Sequence, residues 1–323
     1  TLAYVVGGQV PDVNRRPVWV DRQGRIEPLE VPSKPYYVIR LSPDGRRVAL
    51  ITLQSDSRIW VHDLDHPGSL MALTPTGYPS TGAIWSPDGT YVAFGQFGTP
   101  SAKMFRTPAD GPQRQLERLG PEPTVSPYTL MGPASWARSG EIIYVTYGQQ
   151  RLHDIWLLSG PEPPFTIRPL FADTWAEEWP QLSPDGRWLA YGSAESGQNQ
   201  VFVVKFPGLT GRIPLTSQQS ICPVWARDGR TLFYVQAGPV GGNELVAHDI
   251  RSNGELAPRG RVLFRLDRLL LMNEPITRFD VSLDGQRFLF IQNEETPVPD
   301  PPREIHIIEN WFEELKAKVP VRR

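Results

Sequence analysis

The sequence predicts an all-β fold built from repeated four-stranded antiparallel units, and two observations support this prediction. A short phrase, in which a turn with Asp-Gly or Ser-Gly joins two strand-like runs, recurs six times in the 323 residues. The glycines of these turns, spaced 43 to 56 residues apart, are Gly45, Gly89, Gly140, Gly186, Gly229 and Gly285. A period of this size with a hairpin in every unit is typical of a β-propeller, a ring of four-stranded blades.

The residues of the repeated turn explain its conformation. Asp-Gly and Ser-Gly pairs supply the left-handed backbone that a tight hairpin needs, and the Pro of Ser-Pro-Asp-Gly presets one φ angle. Five aspartates are therefore interpreted as turn formers: Asp44, Asp88, Asp185, Asp228 and Asp284. A calcium-binding role is disfavoured, because calcium needs several oxygens at one point and these aspartates occur once per unit. Two units depart from the phrase, with Arg138 and Arg227 where three other copies have Pro.

Each hairpin is followed by two further strand-like segments. In the first unit, LSPDGRRVALI is followed by RIWVHDL and SLMALT, and most later units repeat this order. The 34 prolines and 28 glycines separate these segments and do not form one low-complexity block. Four short strands per unit match one propeller blade. The range 1–310 is accordingly predicted to be a single propeller domain.

The two ends of the chain decide the predicted number of blades. The opening segments TLAYVV, RPVWVDRQG and RIEPLEV match strands two, three and four of a seventh unit. The last unit supplies ITRFDVS, RFLFIQN and EIHIIENW as strands one to three. The resulting twenty-six strands favour seven blades with an incomplete closing seam; six blades is the alternative if one terminal strand pair lies outside the ring. The apolar spacing of the tail 311–323 predicts a short amphipathic helix.

Composition and motifs disfavour several functional classes. The net charge of −2 includes no long run of one sign, so nucleic acid is not expected as a partner. No apolar stretch of the ~18 residues that a membrane helix needs is present, so this segment is not expected to enter a membrane. His62 and His66 lie in a strand that runs into a loop, where a spacing of four does not make a metal site. No nucleophile elbow is found, and we expect a non-enzymatic protein with no cofactor and no bound metal.

Several phrases resemble one known family. The SPDG hairpin followed by RIWVHDL resembles the PD-type repeats of TolB-like propellers. The opening TLAYVVGG…RRPVWVDRQGRIEPL and the close FDVSLDGQRFLFI…IHIIENWFEELK are similar to one subgroup. That subgroup comprises the C-terminal, extracytoplasmic propellers of bacterial transmembrane serine/threonine kinases of eukaryotic type. The resemblance covers nearly the whole chain and implies a sensing or binding domain outside the membrane, tethered to a membrane kinase.

The segments that lead into the first strand of each unit form the predicted binding surface. In propellers such connections cluster around the mouth of the central channel, where ligands dock. The candidates, which are aromatic, acidic or amide side chains of these segments, are Tyr37, Tyr78, Tyr128, Trp175, Glu177, Glu178, Trp179, Gln219 and Glu274. The alternative for the aromatic members is packing between neighbouring blades. The group at 175–179 is the strongest candidate, because adjacent acids between tryptophans are costly as packing alone.

These features together predict a non-catalytic propeller that binds a small molecule, a peptide or a protein partner. The resemblance implies the extracytoplasmic sensor domain of a bacterial receptor serine/threonine kinase, in the periplasm or at the cell surface. Two alternatives remain open, because a shared fold does not settle what is bound. One is a free periplasmic TolB-like protein-interaction propeller, and the other is the propeller gate of a prolyl-oligopeptidase-like hydrolase.

Overall fold

Six four-stranded antiparallel sheets form a ring in this computed structural model. The structure describes residues 2–4, 14–53, 57–77, 80–96, 103–111, 116–121, 128–148, 153–160, 162–171, 175–239, 241–250, 257, 259–266, 269, 277–294 and 306–308. The innermost strands of successive sheets contact one another in cyclic order, and the last contacts the first. The sheets are therefore the blades of a closed β-propeller.

The strands are numbered in chain order, and each complete blade is given from its inner to its outer strand. The amino-terminal strands are β1 (Leu2–Tyr4), β2 (Arg15–Asp21) and β3 (Ile26–Pro28). The first blade is β4 (Tyr36–Leu41), β5 (Arg47–Thr52), β6 (Arg58–Asp63) and β7 (Met71–Ala72). The second is β8 (Ser80–Trp85), β9 (Tyr91–Gln96), β10 (Lys103–Pro108) and β11 (Glu117–Leu119).

The remaining blades follow the same order. The third is β12 (Tyr128–Trp136), β13 (Ile142–Gly148), β14 (Asp154–Leu158) and β15 (Ile167–Pro169). The fourth is β16 (Glu177–Leu182), β17 (Trp188–Ser193), β18 (Gln200–Lys205) and β19 (Thr210–Pro214). The fifth is β20 (Ser220–Trp225), β21 (Thr231–Ala237), β22 (Asn243–Asp249) and β23 (Arg261–Arg265). The last strands are β24 (Asp280–Val281), β25 (Arg287–Asn293) and β26 (His306–Ile308).

The sixth blade is built from both ends of the chain. Its inner strands are β24 and β25, and its outer strands are β2 and β3. Strand β2 pairs with β25 along its whole length, from Arg15 opposite Asn293 to Asp21 opposite Arg287. Because this pairing joins the two ends of the chain within one sheet, it completes the sixth blade and leaves no unpaired edge on β25.

The favoured prediction of seven blades is wrong, and the alternative of six blades is confirmed. Twenty-six strands lie within the described residues, but β1 and β26 pair with each other instead of completing a blade. TLAYVV was expected as a second strand and EIHIIENW as a third. Both expectations fail because Arg15–Asp21 occupies the place beside RFLFIQN. The helix predicted for the tail 311–323 lies outside the described residues, and no helix occurs within them.

The six hairpin turns share one geometry. The N–H of each turn glycine donates to the carbonyl three residues earlier at 2.8–3.0 Å. The φ angles of these glycines lie between +67° and +106°, the left-handed region that favours glycine. Five turns place a carboxylate where it accepts the backbone N–H two residues later; these carboxylates belong to Asp44, Asp88, Asp185, Asp228 and Asp284.

The hydrophobic core lies between neighbouring blades. Val38 and Ile51 of the first blade pack in one cluster with Trp85 and Phe94 of the second. All four side chains are buried, and burial of each such side chain stabilises the fold by about 1.5–3 kcal/mol. The blades are thus held to one another by apolar contact, which keeps the inner strands in place around the axis.

Candidate functional site

A cavity of about 570 Å³ lies at the hairpin end of the inner strands. Every blade contributes the second residue of its hairpin turn to the lining of this axial cavity: Pro43, Pro87, Arg138, Pro184, Arg227 and Leu283. Because the six blades surround the axis, a cavity that all six line lies on the axis of the ring. Its volume falls within the range of roughly 300–1,000 Å³ that is usual for small-molecule sites.

A deeper layer of the axial cavity comes from the inner strands themselves. Each blade contributes the residue two positions before its turn: Arg40, Ile84, Ser135, Gln181, Val224 and Asp280. The turn and strand layers together contribute twelve of the residues that line the cavity. Most of these side chains are apolar or neutral, so the few charged ones determine its electrostatic character.

Three arginines line the axial cavity. Arg40 is buried, and its Nη1 donates to the carbonyls of Ile39 at 2.8 Å and Phe279 at 3.3 Å. Burial lowers the pKa of Arg40, whereas the neighbouring carboxylate of Asp280 acts in the opposite direction.

The other two arginines belong to the turns. Arg227 reaches from the fifth blade to the first, where its Nη2 donates to the carbonyl of Leu41 at 3.2 Å. The Nε of Arg227 is buried and has no hydrogen-bond partner among the described residues. Arg138, in the third blade, is exposed at the mouth of the cavity. The guanidinium groups of Arg40 and Arg227 therefore belong to the wall of the cavity, and that of Arg138 belongs to its mouth.

Two aspartates also line the axial cavity, and each has its own partners. Asp280 is buried, and it accepts the backbone N–H groups of Leu41 at 2.9 Å and Val281 at 2.8 Å. Asp185 accepts the hydroxyl of Ser183 and pairs with the exposed Arg187.

No ion pair between described residues involves any of the three arginines of the cavity. Their positive charge is therefore not neutralised by a described carboxylate in direct contact.

Tryptophans form the walls of the axial cavity and tie the blades together. The indole N–H of Trp85 donates to the carbonyl of Arg40 at 3.1 Å, and that of Trp225 donates to the carbonyl of Gln181 at 3.0 Å. Each bond joins neighbouring blades. Because the indole N–H groups are used in this way, the rings present apolar surface to the cavity.

The group at 175–179 lies near the other end of the inner strands. Glu177, Glu178 and Trp179 belong to β16 and are buried. Glu178 pairs with His153, and it accepts a hydrogen bond from Nδ2 of Asn199 at 3.5 Å. Trp179 has φ +51° at a β-bulge and packs in a cluster with residues of the fifth and sixth blades. The contacts of Trp179 are those of the packing alternative.

The other predicted binding residues do not line the axial cavity or lie outside the described residues. Tyr37 is buried beneath the guanidinium of Arg278, whose Cζ is 3.6 Å from the centre of the ring. Trp175 and Gln219 are exposed. Tyr128 begins β12, and its side chain is not described; Tyr78 and Glu274 lie outside the described residues. None of the predicted residues with a described side chain lines the cavity, and their role in binding stays a prediction.

The arginines of the axial cavity were not among the predicted binding residues. The signal for two of them was present in the sequence, because Arg138 and Arg227 replace the Pro of the repeated turn. The signal for Arg40 is weaker: it is a charged residue within the buried strand YYVIRL. The local sequence identifies the turn, but it does not show that the second residue of the turn faces the axis of the ring.

No group of three His, Cys, Asp or Glu side chains within the described residues is placed to hold a metal ion. No helix in the described part of the chain has the length and apolar character needed to cross a membrane.

Six blades around an axial cavity define a β-propeller, and comparison with known structures shows which propellers its fold is similar to. The chain is similar to a putative TolB from Agrobacterium tumefaciens, with 17% identity and a TM-score of 0.65. That match covers 89% of this chain and 100% of the other. It is also similar to TolB from Acinetobacter baumannii, with 14% identity and a TM-score of 0.52, over 80% of this chain and 64% of that one. The fold is therefore that of a TolB-like propeller.

An enzyme contains a similar propeller. Prolyl oligopeptidase B from Galerina marginata matches with 13% identity and a TM-score of 0.55, over 91% of this chain. The matched part is 45% of the length of that enzyme. No family model and no curated protein matches the sequence. At these identities the likeness is one of fold.

Proposed function

We propose that the chain is a non-catalytic, ligand-binding propeller that serves as the extracytoplasmic sensor domain of a bacterial receptor serine/threonine kinase. The observation that carries the binding function is the axial cavity, which all six blades line. Its volume suits a small molecule or the end of a peptide. The link to a kinase is supported by the opening and closing phrases of the sequence, which resemble those of kinase propellers.

The closing blade suggests how binding acts on the rest of the receptor. Asp280 and Leu283 belong to the sixth blade, and they line the cavity beside residues of the first and fifth blades. A ligand that contacts all three blades binds the closed ring better than an opened one. Such differential affinity shifts the population towards the closed ring, and the paired strands β1 and β26, which precede and follow the ring in the chain, transmit the change to the kinase.

The binding function is tested by thermal unfolding of the purified chain with peptides, organic acids, sugars, polyamines and divalent cations. A ligand of the native state raises the melting temperature. Leu283→Trp places a large side chain at the mouth of the cavity, and Val262→Trp is the matched control, because both native side chains are 47% exposed and Val262 lies on an outer strand. The shift should persist in the control and disappear in Leu283→Trp. A shift that survives in Leu283→Trp would place binding outside the axial cavity.

The kinase assignment needs a separate test with the full-length protein. The reading frame should encode a kinase catalytic domain and a membrane span before residue 1. In vesicles that hold the full-length protein, a ligand found by thermal unfolding should change autophosphorylation by at least about twofold, and Leu283→Trp should abolish that change. A frame that encodes a signal peptide alone would support the free periplasmic propeller, and one that continues into an α/β hydrolase would support the oligopeptidase alternative.

A further inference from the structure

We infer that the axial cavity binds a carboxylate, with the guanidinium groups of Arg40 and Arg227 as its anion subsite and Arg138 at its mouth. This inference rests on the proposed function and names the ligand class of the same cavity. The carboxylate belongs to a small organic acid or to the free carboxyl end of a peptide, and the chemistry of recognition is the same for both.

The first argument is the number of N–H groups available for an anion. A guanidinium carries five N–H groups. Among the described residues, Arg40 uses only Nη1 and Arg227 uses only Nη2, each for backbone carbonyls. The Nε of Arg227 is buried and has no partner among them. This buried atom is not reached from the cavity, so the N–H groups left for an anion are those of Nε and Nη2 of Arg40 and of Nη1 of Arg227.

The second argument is that the arginines are held in place before a ligand arrives. Nη1 of Arg40 is anchored by the carbonyls of Ile39 and Phe279, and Nη2 of Arg227 by the carbonyl of Leu41. Because both arginine side chains are already held in place, ligand binding costs less side-chain entropy than it would with free surface arginines. Charge-assisted bonds from guanidinium to carboxylate are also short and strong.

The third argument concerns which anion fits. Asp280 lies beside Arg40, and its carboxylate accepts hydrogen bonds from two backbone N–H groups. A second negative group in the cavity is therefore repelled by Asp280 as well as attracted by the arginines. This balance favours a singly charged carboxylate over a doubly charged phosphate. The apolar walls formed by Trp85 and Trp225 suit a carboxylate attached to an apolar body.

Calorimetric titration with matched probes tests the inference. Indole-3-acetate is compared with indole-3-acetamide, and N-acetyl-trialanine with a free carboxyl end is compared with its amide. The acid with the higher affinity should bind at least about tenfold more tightly than its own amide, since charge-assisted hydrogen bonds are lost in the amide. Added salt should lower the affinity for the acid but not the affinity for the amide. The two acids are then compared with each other. Tighter binding of indole-3-acetate identifies a small organic acid as the source of the carboxylate, and tighter binding of N-acetyl-trialanine identifies a peptide end.

Variants of the turn residues supply the controls. Arg227→Gln should lower the affinity for the acid by about tenfold and Arg138→Gln by less, because Arg138 is more exposed. Arg230→Gln, an exposed arginine of the same turn that does not line the cavity, should leave the affinity unchanged. The urea midpoints of all three variants show whether the fold is retained. Arg40 is buried, so its removal is not used as the primary test.

Several outcomes would overturn the inference, and they are separable from failure of the proposed function. Equal affinity for acid and amide would exclude carboxylate recognition, as would an unchanged acid affinity in Arg227→Gln. Tighter binding of inorganic phosphate than of either acid would replace carboxylate by phosphate. If a neutral or cationic probe binds and Leu283→Trp blocks it, the cavity is a binding site and only the ligand class is wrong. If no probe of any class binds, both proposals fail.

Discussion

The two ends of the inner strands differ in how their charged side chains are partnered. At the hairpin end, Arg40 and Arg227 bond to backbone carbonyls and line an open cavity. Near the opposite end, Glu178 pairs with His153, and Arg278 stacks on the ring of Tyr37. In the described residues, Glu178 and Arg278 therefore have side-chain partners near one end, whereas Arg40 and Arg227 at the other end bond only to backbone carbonyls. The difference shows that the regular, repeated end of this propeller contains the axial cavity.

The repeat itself explains why the axial cavity is there. Six turns of one geometry hold their second residues at similar positions around the axis. Short or compact side chains at this position, Pro in three blades and Leu in one, leave the axis open. Arginine in the third and fifth blades then determines the charge of the mouth. A scaffold of local turns thus provides the space, and substitutions within one repeated position provide the chemistry.

The largest stability effect is expected at the tightly packed end. An added Cβ at Gly192 would lie 2.6 Å from Cε3 of Trp179, which is fully buried. Gly192→Ala should therefore destabilise the fold by about 3 kcal/mol, the upper part of the range for overpacking. Gly208→Ala is the control, because an added Cβ there meets nothing within 4 Å. Urea unfolding measures both, and equal midpoints for the two variants would show that the region around Trp179 is not tightly packed.

An intermediate effect is expected at the hairpin end. Trp85→Phe removes the indole N–H that donates to the carbonyl of Arg40 across the blade boundary. Loss of this bond should destabilise the fold by about 1–2 kcal/mol. Trp175→Phe is the control near the opposite end, because Trp175 is 51% exposed. Thermal unfolding of both variants compares them, and a larger loss in Trp175→Phe than in Trp85→Phe would contradict the assigned role of the Trp85 bond.

The smallest effect concerns the turns that form the mouth. The Ser282 hydroxyl and then the N–H of Gln286 hold the pKa of Asp284 below its ordinary value. A lowered pKa in the folded state contributes stability above the unfolded pKa of about 3.9, and this stability is lost as the pH falls through the folded pKa. Asp284→Asn should therefore destabilise at pH 6 and have less effect near pH 2. Solvent screening keeps the effect small.

The matched control for this prediction is Asp228→Asn. Residue 226 is Ala, so that turn lacks the hydroxyl that bonds to the carboxylate in the sixth blade, and among the described residues Asp228 accepts only the N–H of Arg230. Urea midpoints measured between pH 6 and pH 2 should show a weaker pH dependence of the mutational effect for Asp228→Asn. The same dependence in both variants would mean that the serine hydroxyl adds nothing to the stability of the turn.

Much of the blade pattern was predictable from the sequence, whereas the candidate site was predictable only in part. Strands and turns follow from neighbours in the chain, and the phrase around Gly45 or Gly186 is recognisable in each copy. The number of blades was not predictable in this way, because Arg15 pairs with Asn293 across almost the whole chain. The role of Trp179 was equally hidden, since nothing local shows that β16 buries it against the next blades.

The sequence by itself determined that this protein is a propeller of four-stranded blades with Asp-Gly turns, because those features arise from local backbone preferences and a repeated pattern. The tertiary structure alone decided that the ring has six blades, that β1 and β26 pair outside them, and that the axial cavity lies at the hairpin end. The physical reason is distance along the chain. Ring closure and the gathering of Arg40, Arg138 and Arg227 around one axis depend on contacts between residues far apart in sequence, which local patterns do not encode.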